Sequence, residues 1–318
     1  MPAPDRILVL GGTGFVGHAL LARLSREIGI AARLTVPSRR PQRAKDLSVM
    51  PGVRVVEADV HDPSALERLV AQHEAVVNLV AVLQGDAARF EAVHVELPRR
   101  LAAACQRTGV TRVVHVSALG VAADAPSLYL RSKHAGEAVL RAAPLALSVL
   151  RPSIVFGADD RFMNQFAAMA ALAPLMAVPG ARARMQPVWV DDVAAALAAC
   201  LRRDDSIGQT YEAVGPREYT LGELVRLAGA WSGHARPVLA LPDALGQVMA
   251  ALMRLMPGEP PLSADNLASL RVPSVASGSL PGLAALGITP TALEQVMPVL
   301  LAAGPTRLDA YRTLARRG

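Results

Sequence analysis

Arg6-Ile-Leu-Val-Leu-Gly-Gly-Thr-Gly-Phe-Val-Gly-His-Ala-Leu20 is the stretch that decides how the rest of this 318-residue chain is read. Four apolar residues run into Gly11, Gly12, Gly14 and Gly17, and a helical pattern follows. A strand that reverses at once into a helix needs a residue tolerant of positive φ. A backbone that approaches a pyrophosphate, and a helix that packs close to a strand, exclude side chains. The helix start then turns free N–H groups and the positive end of its dipole toward phosphate. Glycines in this spacing, placed after a strand and opening a helix, point to a bound dinucleotide. Gly11, Gly12, Gly14 and Gly17, with Thr13, Phe15 and Val16 between them, are the residues expected to hold it.

Outward from that turn the pattern repeats. Strand-like runs at 7–10, 33–36, 53–57, 75–82, 112–117 and 146–150 alternate with helix-like runs at 14–28, 64–72, 90–108 and 128–142. Short apolar strands between amphipathic helices predict an α/β fold with a doubly wound parallel sheet covered on both faces. Residues 1–157 are read as the dinucleotide-binding domain, rejoined by about 186–215; 158–185 and 216–318 are read as a small interleaved lobe. Within the lobe, 162–176 reads as one apolar helix, and 244–256 as a second methionine-bearing amphipathic stretch. Flexible thioethers there suit core packing, an apolar ligand pocket or a membrane surface.

Composition narrows the functional classes. Hydrophobic residues make up 52% of the chain and aromatics only 3%, so Ala, Leu and Val must build the core. No apolar run reaches the length of a membrane span. Cys105 and Cys200 lie far apart and suggest neither a disulfide framework nor a metal site. With no leader visible, a cytoplasmic setting is expected, compatible with a peripheral place at the inner face of a membrane. The net charge is +6, carried almost wholly by Arg. It shows no basic block interleaved with aromatics, which argues against nucleic acid as partner.

Ligands of such sheets lie beyond the carboxyl ends of the strands. After the second strand come Ser38, Arg39 and Arg40, where an NAD-preferring site usually has an acid for the ribose hydroxyls. A guanidinium fork suits a 2′-phosphate, so NADP(H) is favoured over NAD(H). After the third strand, Asp59 either accepts a hydrogen bond from adenine, with Val60 on the ring, or helps to start the next helix. Leu79, Val80 and Ala81 after the fourth strand, and Pro152 and Ile154 after the sixth, are further expected cofactor contacts.

The fifth strand ends on Ser117, and Tyr129 and Lys133 follow at i and i+4 on one helical face. A phenol with an ordinary pKa near 10 is a poor acid–base catalyst at neutral pH. A neighbouring ammonium is expected to bring it down. Ser117, Tyr129 and Lys133 are therefore the expected catalytic group, with Ser117 holding the substrate oxygen.

With these residues in place, the chain resembles an extended or atypical short-chain dehydrogenase/reductase. A narrower resemblance is carried by four motifs. They are Tyr129-Leu-Arg-Ser-Lys-His-Ala-Gly-Glu137, Arg151-Pro-Ser-Ile-Val-Phe-Gly157, Asp159-Asp-Arg-Phe-Met-Asn164 and Gln186-Pro-Val-Trp-Val-Asp-Asp192. These are similar to the family of the 39 kDa nucleotide-binding accessory subunit of respiratory complex I, which has free-standing bacterial relatives. Leu262-Ser-Ala-Asp-Asn-Leu267 and Leu286-Gly-Ile-Thr-Pro-Thr-Ala-Leu-Glu294 extend the likeness. The resemblance implies a Rossmann domain holding NADPH and a small lobe over its nicotinamide end. It implies a choice between two roles. One is an oxidoreductase or epimerase-like enzyme with an apolar carbonyl or quinone-related substrate. The other is a non-catalytic cofactor-holding protein linked to complex I or ubiquinone biosynthesis. It also implies an Asn at position 94 as a proton relay, where this chain has His94.

Overall fold

The computed structural model describes residues 4–253 and 262–302, so the breaker Pro257–Pro261 and the basic tail 312–318 lie outside the described residues. The chain divides into two compact units, 1–152 with 190–214 and 276–290, and 153–189 with 215–275 and 291–318. The first unit thus ends at Pro152, where 157 was expected. It also takes back 276–290, a segment expected in the lobe. Hydrogen bonds explain the return: the Glu212 N–H donates to Pro281 O, and the Ser277 N–H donates to Glu212 Oε2.

The first unit is built on a seven-stranded parallel sheet. Its strands are β1 (Arg6–Leu10), β2 (Arg33–Ser38), β3 (Val53–Glu57), β4 (Ala75–Asn78), β5 (Arg112–Val116), β6 (Ala146–Pro152) and β7 (Thr210–Ala213), in spatial order 7-6-5-4-1-2-3. Strand order reverses beside β1, the switch point where such sheets open a crevice for ligands. The helices are α1 (Phe15–Ile28), α2 (Pro63–Val70), α3 (Leu97–Thr108), α4 (Leu128–Ala142) and α5 (Val190–Arg202).

Both faces of the sheet are apolar because β1 alternates between two cores. Leu8 and Leu10 join Leu66, Val70, Leu97, Leu101 and Leu140 on the face covered by α2, α3 and α4. Ile7 and Val9 are equally buried, as are Leu20, Leu21 and Leu24 of α1, which packs against α5. The run expected as one helix over 90–108 is instead a short helix (Ala87–Glu91), one π-helical turn (Ala92–Glu96) and α3.

The second unit has its own core, in which Met163, Met176, Met185 and Met297 pack with Phe156, Leu224 and Leu301. These methionines serve packing. The helix expected over 162–176 runs only from Met163 to Leu172. Ala173 precedes Pro174 and takes an extended conformation (φ −93°, ψ 141°), as the proline ring demands. Met176–Pro179 then forms a strand paired in parallel with Val238–Leu241.

Candidate functional site

The glycine turn has the geometry that its spacing predicts. Gly11 takes φ +79°, and a β-carbon there would sit 3.0 Å from the backbone of Leu79 and Val80, at the end of the adjacent strand. On Gly17 a β-carbon would lie 2.5 Å from Gly12 O, so α1 can meet the turn only through glycine. Gly14 is the N-cap of α1 and offers no side chain to its first N–H groups. Those donors are left for an outside acceptor. This cradle, which any side chain would fill, fits a dinucleotide pyrophosphate.

Around the cradle, Arg39 and Arg40 are exposed just past β2, and the Arg40 N–H donates to Ser38 Oγ at 3.2 Å. The two readings of Asp59 separate here. Asp62 is the N-cap of α2, accepting from the Ser64 N–H, while Asp59 Oδ1 accepts from the His61 N–H at 2.9 Å in a turn. Ile154 belongs to the second unit and Pro152 to the first.

The other wall is α4. Ser127 caps it by accepting from the Leu130 N–H, which fixes the helix start and puts Tyr129, Lys133 and Glu137 at i, i+4 and i+8. Lys133 is buried and donates from Nζ to Val116 O at 2.6 Å, pinning the helix to the end of β5 beside Ser117. The Ser117 hydroxyl is buried and makes no hydrogen bond. It lies close enough to Glu137 to help lower that carboxyl, without the geometry of a bond.

Glu137 is the charged centre that sequence reading passed over, although it stands four residues past Lys133. Arg151 grips both its oxygens, with Nη2 to Oε1 at 2.7 Å and Nε to Oε2 at 3.1 Å, and Arg141 adds Nη2 to Oε1 at 2.9 Å. Burial pushes the carboxyl up, but Arg151 first, then the nearby Ser117 hydroxyl and Arg141, outweigh it and hold Glu137 at about 2. Burial lowers Lys133 to about 8, against the pull of the Glu137 carboxylate. Tyr129 is half-buried, its ring edge-on to His94 and Phe90. Burial pushes its phenol up to about 12, so the expected lowering by Lys133 is not found. The physical reason is that desolvation of the phenolate is the larger effect, and Nζ is committed to Val116 O.

His94 occupies the π-helical turn. Its Nε2 accepts from the Val82 N–H at 3.1 Å, and its Nδ1 lies 2.8 Å from Ser132 Oγ, which itself donates to Tyr129 O at 2.9 Å. That network assigns the proton to Nδ1, with Nε2 as acceptor. Burial, and then the Lys133 charge, depress the imidazole to about 3, so it is neutral in the working range. His94 is thus a clamp between the strand end and the start of α4. Asn78 and His115, buried together at 3.3 Å, complete the polar floor. Among the described residues no group of His, Cys, Asp and Glu could hold a metal ion.

The sequence matches the NAD dependent epimerase/dehydratase family over residues 7–214, which takes in the turn, the α4 wall and all seven strands. The chain belongs to that family. Within it, the chain is 30% identical over 293 residues to NADH dehydrogenase [ubiquinone] 1 alpha subcomplex subunit 9, mitochondrial, of Rattus norvegicus, spanning 90% of this chain and 77% of that one. It is 29% identical over 240 residues to the ceramide reductase of Caulobacter vibrioides, covering 74% of each. The structure of MoeE5 in complex with UDP-glucose and NAD shares the fold, with a TM-score of 0.69 at 19% identity over 98% of this chain and 99% of that one. This epimerase/dehydratase-family chain is a Rossmann-type α/β protein of NAD(P)-binding, oxidoreductase-like character.

Proposed function

We propose that the chain is an NADP(H)-dependent reductase of a carbonyl on an apolar, quinone- or lipid-like substrate. The observation that carries this reading is the Ser117 hydroxyl, buried without a partner at the end of β5 and beside the lysine of α4. A buried donor left unsatisfied costs about 1–3 kcal/mol, and a substrate oxygen would relieve it. The glycine turn would hold the pyrophosphate, and Arg39 and Arg40, with Ser38, a 2′-phosphate. When bound, the reduced nicotinamide supplies the hydride.

The residues of the chain do the rest. Ser117 donates to the carbonyl oxygen and orients it. Tyr129, whose phenol burial pushes up to about 12, is protonated at neutral pH, so it has a proton to give to that oxygen as the hydride arrives. Lys133 offers a positive charge at the same strand end, and Glu137 keeps it protonated. The likeness to a protein named ceramide reductase supports a lipid-like substrate, and a substrate of that kind would be met at or near the inner face of a membrane.

The second reading, a protein that holds its cofactor without turnover as part of a respiratory complex, is favoured by the likeness to the rat subunit. Tyr129→Phe separates the two. For the reductase, kcat on an accepted carbonyl falls by about 10²–10⁴-fold, while NADPH affinity and thermal stability stay put. Unchanged turnover in that variant overturns the reductase reading.

A further inference from the structure

The second unit carries a surface that the chemistry above does not use. A cleft of about 300 Å³ is lined by three guanidinium groups, Arg182, Arg184 and Arg271, with Asp243, Gln247 and Leu270. Arg184 pairs with Glu218, but Arg182 and Arg271 are exposed and have no acidic partner among the described residues. With Arg184 answered by Glu218, Asp243 stands against the two remaining guanidiniums of Arg182 and Arg271, which leaves the cleft net positive and anion-seeking.

Gln247 and Asp243 reach the cleft from the helix Asp243–Met253, whose other face is unusual. Gly246 and Ala250 are its buried residues, and Gly246 packs so closely on Pro179 that a β-carbon there would lie 2.7 Å from the proline ring. Leu245, Val248 and Leu252 fall on one exposed stripe at i, i+3 and i+7, with exposures of 54%, 57% and 63%. No charged residue occurs after Asp243 in this helix. Leu239, in the strand just before it, is 51% exposed as well. Val248 and Gln247 are consecutive, about 100° apart around the axis, so the apolar stripe borders the basic cleft.

We propose that this face docks on an anionic phospholipid bilayer, with phosphate headgroups in the cleft of Arg182, Arg184 and Arg271 and with Leu245, Val248 and Leu252 entering the acyl boundary. Charge complementarity selects that occupant. A protein groove of matching shape would satisfy the stripe alone, and a free phosphate would satisfy the cleft alone, whereas a lipid surface satisfies both at once. Among the described residues no helix is long and apolar enough to cross a membrane, so the contact is with the surface. The inference rests on the membrane-proximal setting proposed above and not on the chemistry of Tyr129.

Flotation of the full chain with vesicles at low salt tests it. The protein is expected to float with phosphatidylglycerol-containing vesicles and to stay behind with phosphatidylcholine alone. Arg182→Glu with Arg271→Glu should lower binding by about twenty-five-fold or more, since each arginine near an anionic surface contributes about fivefold. Arg54→Glu with Arg68→Glu, which makes the same change in net charge on the first unit, should leave binding nearly intact. Leu245→Ser with Leu252→Ser should abolish the part that survives high salt. Equal losses from both arginine pairs, or release of the protein by millimolar inorganic phosphate, would overturn the lipid assignment. A wild-type chain that never floats would also overturn it, while leaving the Tyr129→Phe kinetics to judge the reductase.

Discussion

The glycine turn and the α4 wall belong to the same parallel sheet, but they are made by opposite means. The turn is defined by what is missing: Gly11 and Gly17 bring backbone to within a distance that no side chain tolerates. The wall is defined by buried polar groups, each held by a partner from another element. Lys133 is fixed by Val116 O, Glu137 by Arg151 and Arg141, and His94 by Val82 and Ser132. An emptied space can be written in a short local motif. A buried network cannot, because its members come from residues 82 to 151 and must all be satisfied together.

Gly136 is the place where the two devices meet, and it offers the largest expected effect. A β-carbon there would lie 1.7 Å from His94 O, so α4 crosses the π-helical turn only because this residue is glycine. Gly136→Ala is expected to destabilise the protein by about 3 kcal/mol or more, read as a drop in the thermal unfolding midpoint. A midpoint that does not move would show that the wall can yield, and that the contrast with the turn is false.

Arg39→Ala with Arg40→Ala probes the rim of the turn. Two charge-assisted contacts to a 2′-phosphate should be worth about 10–100-fold in NADPH affinity, with NADH affinity unchanged. Equal losses for both cofactors in a calorimetric titration would break the assignment of NADP(H).

A smaller effect tests the wall by pH. Lys133 is lowered to about 8 by burial and held up by Glu137, so it loses its proton as pH rises through that region. The rate of reduction should therefore fall on the alkaline side near pH 8. Removing the carboxylate in Glu137→Gln lowers the lysine further and should shift this limb to lower pH. Glu137→Asp, which keeps the charge, should restore most of it. A limb that stays in place in Glu137→Gln would separate Glu137 from the lysine.

Much of this was legible in the chain. The parallel sheet was readable because each buried strand is a short apolar run and each covering helix has an apolar stripe. The expected helix over 128–142 matches α4 residue for residue, and the structure adds the Ser127 cap that fixes its start. The long helix expected over 90–108 was misread because a π-helical turn has no sequence period of its own. Likewise, the rise of the Tyr129 phenol to about 12 follows from burial, which residue spacing does not report.

The sequence by itself determined the sheet, the glycine turn and the i, i+4 pairing of Tyr129 with Lys133, because all three depend on local geometry and hydrophobic period. Tertiary structure alone decided that His94 is a neutral clamp, that Glu137 is the fixed counter-charge and that Ser117 is left with a hydroxyl to spend. Those properties depend on desolvation and on partners distant along the chain. Neither acts until the elements have packed.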